Sequence, residues 1–184
     1  MTRAVILVAQ NYQDEEFVFP YYRMLEEGWT VDVASPDGKE RFGKYGVPAK
    51  VNKSTSGLLP DDYDAVVIPG GFESPDRLRT VLEVLAFVNA MHSSQKLVAA
   101  ICHGGWVLIS AGVVKNRRVA GYESIYDDLL NAGAIYPADR VAVDGNLITA
   151  RHYKDNGPWM KAVIAWQSHE SVRKEYLESL KRAP

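Results

Sequence analysis

The chain holds a single cysteine, and its neighbours are those that a reactive thiol needs. Cys102 follows five apolar residues, Leu97-Val98-Ala99-Ala100-Ile101, and precedes His103-Gly104-Gly105. The apolar run reads as a buried strand, and the segment from Trp106 to Ala111 reads as a helix stopped by Gly112. Small residues stand two before and two after the sulfur, in Ala100-x-Cys102-x-Gly104. That is the steric requirement of a nucleophile elbow, where strand and helix approach so closely that flanking side chains must be small or absent. Such a turn points the nucleophile outward at a helix N-terminus, where free N–H groups and the dipole favour a thiolate. The competing reading is an inert, buried apolar cysteine. It leaves the His and the Gly-Gly at the strand-to-helix switch without a purpose.

Two further turns follow apolar runs and carry chemistry of their own. Gln13-Asp14-Glu15-Glu16 follows Ala4-Val5-Ile6-Leu7-Val8-Ala9, and Pro69-Gly70-Gly71 follows Ala65-Val66-Val67-Ile68. In an open parallel sheet all three turns share the carboxyl-end rim, where ligands bind at the switch in strand order. Gly70 and Gly71 leave the backbone bare, so the Gly71 N–H, with the His103 N–H, can face a developing oxyanion. Glu16 is a candidate acid beside the sulfur, although a glutamate in a first helical turn also serves the dipole alone. His103 adjoins Cys102, which leaves its side chain free to point away from the sulfur.

The elements that position these turns alternate between strand and helix. Phe17, Tyr21, Met24 and Leu25 recur at helical spacing up to Gly28, with Pro20 predicting a kink or a helix start nearby. Thr30-Val31-Asp32-Val33-Ala34 is a second strand. Glycines and prolines break residues 36–59, where residues 47–51 fit one strand of a small hairpin. A helix over residues 81–91 leads to the cysteine strand. Beyond the elbow, Arg118-Val119-Ala120 reads as a strand and residues 125–130 as a helix. A hairpin turns at Asp144-Gly145-Asn146, and a last helix starts at Pro158. The pattern predicts an α/β three-layer α/β/α sandwich around a mostly parallel sheet, as one domain over residues 1–184. A helical stripe of Val172, Tyr176, Leu177 and Leu180 predicts a C-terminal helical extension from about residue 168.

Composition narrows the function. At 184 residues, 47% hydrophobic and with net charge −2, the chain can bury a core of its own and presents no basic surface for nucleic acid or anionic membrane. One cysteine rules out a disulfide framework and a cysteine-rich zinc site, and points to a reducing compartment. No apolar run approaches the ~18 residues of a membrane span. The N-terminus reads as a strand rather than a signal peptide, so a cytoplasmic protein is expected. The four histidines, His92, His103, His152 and His169, lie far apart and suggest no metal site. His92 and His169 sit in helices expected to face solvent, and His152 is placed to reach the rim.

These blocks resemble the ThiJ/PfpI superfamily, and within it the PfpI-like branch of intracellular protease-like and class I glutamine amidotransferase-like proteins. The resemblance rests on Ala99-Ala100-Ile101-Cys102-His103-Gly104, Ile68-Pro69-Gly70-Gly71 and Asp14-Glu15-Glu16 running into Pro20. It continues through residues 108–113, 127–134 and 143–147 and Arg151-His152, as far as about Gln167. It implies a flavodoxin-like sandwich that forms dimers or larger rings and needs no cofactor. Cys102 is then the nucleophile and Glu16 the acid bonded to its sulfur. His103 pairs with an acid of a neighbouring subunit, for which Asp76 is the matching position, and Tyr122 faces the cleft. Gln13 departs from the pattern, standing where PfpI-like sequences often carry an acid. Gly105-Trp106 and Asp155-Asn156-Gly157-Pro158 are further departures.

Three functions are consistent with this reading. The first is a glyoxalase- or deglycase-like stress enzyme acting on reactive carbonyls, through a low-pKa Cys102 thiolate and a Glu16 proton shuttle of raised pKa. The second is a cysteine peptidase using Cys102, His103 and Asp76 across a subunit interface. The third is a redox sensor or chaperone that works through Cys102 oxidation.

Overall fold

In a computed structural model, the structure describes residues 1–168 and residue 178. The opening apolar run forms β1 (Arg3–Leu7), whose last four residues are all buried. It passes through the turn at Tyr12-Gln13 into α1 (Asp14–Glu26), whose first turn carries Asp14, Glu15 and Glu16 at the positive end of the helix dipole. Pro20 lies inside α1 and does not begin it. Its missing N–H removes only the bond that the Glu16 carbonyl would accept.

After Gly28, at φ +74°, the chain returns as β2 (Thr30–Ser35). A short antiparallel hairpin of β3 (Arg41–Phe42) and β4 (Pro48–Ala49) follows, then the edge strand β5 (Lys53–Ser54). Next come β6 (Ala65–Ile68), α2 (Glu73–Leu78), α3 (Leu82–Ser93) and β7 (Leu97–Ile101). Beyond Cys102 lie α4 (Gly105–Ser110), α5 (Tyr126–Asn131), the hairpin β8 (Val141–Asp144) and β9 (Leu147–Ala150), and α6 (Asn156–Gln167).

Seven strands make one sheet in the order β5-β2-β1-β6-β7-β9-β8. Every pairing is parallel except that of β8 with β9. The central strands β1, β6, β7 and β9 are buried on both faces, and alternate side chains feed two cores. Val5, Leu7, Val66, Ile68, Val98 and Ala100 pack with Leu78, Val84, Phe87, Met91, Leu108 and Leu129 of α2 to α5. Ala4, Ile6, Val67, Ala99 and Ile101 pack on the other face with Phe17 and Met24 of α1 and Trp159, Met160 and Val163 of α6. The molecule is therefore the α/β/α sandwich that the alternation predicts.

Strand order reverses between β1 and β6. The chain leaves β1 for β2 on one side, and β6 and β7 build outward on the other, which opens a crevice at the carboxyl ends.

Some local expectations change. Arg118-Val119-Ala120 is not a strand. Arg118 makes one isolated bridge to Ile135, and the Ala120 N–H donates to Thr149 Oγ1 at 2.8 Å instead of to a ladder. A helix that periodicity did not reveal, α2, occupies residues 73–78, too short to show a repeat. The last helix begins at Asn156, two residues before Pro158. The predicted extension from about residue 168, with His169, lies outside the described residues.

Candidate active site

Cys102 sits at the sharp turn between β7 and α4. Ile101 is extended, at φ −135°, and Cys102 turns abruptly to φ +59°, a conformation that L-residues adopt only where the surroundings impose it. The spacing Ala100-x-Cys102-x-Gly104 has a steric cause. A Cβ on Gly104 would lie 2.6 Å from the Ile68 carbonyl oxygen and 3.4 Å from the Ala100 Cβ. The elbow therefore closes only with small residues at those positions. The cysteine ends 7% exposed, at the floor of a cleft.

Glu16 reaches the same point from α1. Its side chain is fully buried, and its Oε2 accepts the Gly70 N–H at 2.7 Å while Oε1 is buried without a partner. The carboxyl and the Cys102 thiol lie close enough for each to shift the other's titration. Gly70 stands between the two groups. A Cβ there would lie 2.6 Å from both the Cys102 Cβ and Glu16 Oε2. Gly71, at φ +75°, has no room for a side chain against the backbone of residues 11–13. The two glycines have separate roles. Gly70 holds the acid, whereas the Gly71 and His103 N–H groups act on the sulfur and draw its pKa down.

Burial sets the electrostatics. It pushes the Glu16 carboxyl from its ordinary 4.5 up to about 8, outweighing the Gly70 N–H and the Cys102 contact, so the acid is mostly protonated at neutral pH. The Cys102 thiol is also pushed up, first by burial and then by the Glu16 charge, while the His103 and Gly71 N–H groups draw it down. The expectation of a thiol held low by a helix end is thus corrected, because the sulfur is buried beside a second acid. Two acids so close titrate as a pair, because the charge left when the first proton goes opposes loss of the second.

His103 does not point away from the sulfur. Its Nδ1 lies 3.2 Å from Cys102 Sγ, and Ser124 Oγ lies 3.0 Å from its Nε2. The ring stacks on Tyr122 at 5.0 Å and meets the edge of Trp106 at 5.0 Å. Burial, then the Lys44 charge, holds it below its ordinary value and hence neutral near pH 7. With Nε2–H donating to Ser124, Nδ1 can accept the thiol proton. Within the chain, then, His103 is oriented by Ser124. Asp76 is exposed on α2 and does not line the cleft.

The cleft encloses about 290 Å³ and is lined by Glu16, Gly71, Cys102, His103, Tyr122 and His152, as expected, together with Gln13, Lys44, Tyr45, Phe72 and Tyr153. His152 caps the short turn after β9 and stacks on Tyr122 at 5.7 Å. Lys44 and Ser124 were missed by sequence reasoning. The glycines flanking Gly43-Lys44-Tyr45-Gly46 were the one available signal for the lysine, and none marked the serine. His92, expected in solvent, is half-buried with a buried, unpartnered Nδ1, and burial lowers its pKa. A larger concavity of about 1000 Å³ runs along α1 past Phe19 and Tyr22 and holds no nucleophile. Among the described residues no cluster of His, Cys, Asp and Glu is placed to hold a metal ion, and no helix is long and apolar enough to cross a membrane.

The family profile described as DJ-1/PfpI matches residues 2–166. The chain belongs to the DJ-1/PfpI family. It is 38% identical to "Deglycase PfpI" of Pyrococcus furiosus over 162 residues, 88% of this chain and 97% of that one. It is 39% identical to "Putative cysteine protease YraA" of Bacillus subtilis over 150 residues, 81% of this chain and 88% of that one. Among solved structures, a two-domain Anabaena variabilis protein with DJ-1/ThiJ/PfpI-like and ferritin-like domains superposes with TM-score 0.87 at 34% identity, over 89% of this chain and 47% of that one. The relatives thus include one named a deglycase and one named a putative cysteine protease.

Proposed function

We propose that this protein is a cysteine-dependent enzyme that acts on reactive carbonyls and their early adducts in a reducing cytoplasm, in the manner of a glutathione-independent glyoxalase or deglycase. The observation that carries the reading is a fully buried Glu16 beside Cys102 at the floor of a small cleft, its carboxyl pushed up to about 8 by burial. A peptidase has no need of an acid in that state, whereas a proton shuttle requires one that exchanges near neutrality.

On methylglyoxal, the Cys102 thiol gives its proton to His103 Nδ1, the sulfur attacks the aldehyde carbon and the oxygen takes the Glu16 proton, giving a hemithioacetal and leaving Glu16 a carboxylate. Glu16 then takes the proton from that carbon, the hydroxyl proton passes to the ketone oxygen, and Glu16 returns its proton to the adjacent carbon, which yields a thioester. Water cleaves the thioester, releasing lactate and the thiol. Methylglyoxal and water thus give lactate with no external oxidant. The Gly71 and His103 N–H groups face the charge that develops on oxygen. Lactate formation without glutathione, lost in Cys102→Ala, tests the proposal. Equal rates for the two proteins would refute it.

A second reading is favoured by the 3.2 Å approach of His103 Nδ1 to the sulfur. A Cys102–His103 pair can hydrolyse peptides. In that case a homo-oligomer would bring Asp76 of one copy toward His103 of another. This reading predicts peptidase activity that disappears on dissociation to monomers and in Asp76→Asn.

A further inference from the structure

The turn between β3 and β4 brings Lys44 over the cleft, and that turn is firmly anchored. The Lys44 N–H donates to the Tyr12 carbonyl at 2.9 Å, and Gly43 bridges to Tyr12. Asp14 is 5% exposed and accepts the N–H groups of Tyr45 and Val47, each at 3.0 Å. A Cβ on Gly43 would collide with that same carboxyl. Lys44 is therefore fixed to the first turn of α1, the turn that also carries Glu16.

Its charge is not taken up by an acid. Lys44 Nζ donates to the neutral Gln13 Oε1 at 3.2 Å and lies 5.7 Å from the centre of the Tyr45 ring. Gln13 turns its other end outward, with Nε2 donating to Glu15 at 2.6 Å, so the exposed Glu15 is held by the amide in place of the ammonium. Among the described residues no ion pair engages Lys44. Its field reaches both Glu16 and His103. Apart from the buried Glu16, whose carboxyl burial pushes up to about 8, the rest of the lining is aromatic or neutral, with Tyr45, Phe72, Tyr122 and the two histidines.

We propose that Lys44, held by the neutral Gln13 and the Tyr45 ring, makes the mouth of the Cys102 cleft a subsite for an anion, so that the preferred substrates are electrophilic carbonyl compounds bearing a carboxylate or phosphate near the reacting carbon. The identity of the substrate rests on the carbonyl reading above. The charge selectivity of the site does not, and it is tested separately.

The test is alkylation of Cys102 in the full chain by iodoacetate and by iodoacetamide, which differ by one negative charge. In each case the sulfur–carbon bond forms and iodide leaves. The rate ratio, iodoacetate over iodoacetamide, is compared with that of N-acetylcysteine. One fixed, partly solvated cation implies a ratio roughly tenfold above the free thiol. Lys44→Met should return the ratio to the free-thiol value, Lys44→Arg should keep it, and Gln13→Glu should lower it by giving the ammonium an acid partner. If Lys44→Met slows both reagents in parallel, the lysine only supports the thiolate and the proposal is overturned. Failure of both reagents to label the wild-type protein overturns it as well. A second arm compares kcat/KM for 4,5-dioxopentanoate, a 2-oxoaldehyde with a terminal carboxylate, against methylglyoxal. Turnover of methylglyoxal without preference for the charged analogue sinks this inference alone. Inactivity on both, with the alkylation ratio intact, sinks only the carbonyl reading.

Discussion

Glu16 and Gly70 are joined across two crossovers of the sheet by a 2.7 Å hydrogen bond, from the Gly70 N–H to Glu16 Oε2. That bond lies at the switch in strand order, between the ends of β1 and β6, and it holds the acid against a sulfur delivered by β7. Three strands each supply one part of the site: the acid, its donor and the nucleophile.

Gly70→Ala should therefore damage both the site and the fold. The added methyl has no room between the Cys102 Cβ and Glu16 Oε2. Overpacking of this kind costs about 1–3 kcal/mol. Thermal denaturation should show a lowered Tm, and methylglyoxal turnover should fall at least as far as in Glu16→Gln. A fully active, equally stable Gly70→Ala would contradict the close approach.

Stability should decline with pH through Glu16. Its carboxyl goes from 4.5 up to about 8 on folding, so the folded state keeps a proton that the unfolded chain has lost across that window. The stabilisation is complete below pH 4.5 and disappears as pH rises toward 8, by on the order of 5 kcal/mol in all. Denaturant unfolding between pH 5 and 8 should give a falling curve for the wild type and a flatter one for Glu16→Gln. Identical slopes would show that the acid is not protonated in the native protein.

Ser124 separates the two enzymatic readings. Removing its hydroxyl from His103 Nε2 costs one hydrogen bond, about 1 kcal/mol. Under the carbonyl reading, Ser124→Ala and His103→Ala should each lower methylglyoxal turnover by about tenfold or less, because Glu16 moves the proton. Loss of activity in His103→Ala as complete as in Cys102→Ala would shift the assignment to the Cys102–His103 pair.

The fold was legible because the parallel strands are buried on both faces and so appear as unbroken apolar runs at β1, β6 and β7. The elbow was legible because Gly104 must clear the Ile68 carbonyl, a steric demand that leaves a mark in residue type. Glu16 could be placed by the rim argument and by family resemblance together. Lys44 and Ser124 could not, since a two-strand hairpin and a short turn have no period, and nothing local marks which way their side chains face. The thiol was misjudged for a related reason: helix position can be read from sequence, but the burial that outweighs it cannot.

The central claim is that Cys102 and Glu16 hold their protons jointly. The most direct measurement is the rate of iodoacetamide alkylation of Cys102 from pH 5 to 11, in the wild type and in Glu16→Gln. The account predicts two apparent steps in the wild type, the lower one set by the pair, and a single displaced step once the carboxyl is gone. Superimposable profiles for the two proteins would contradict it.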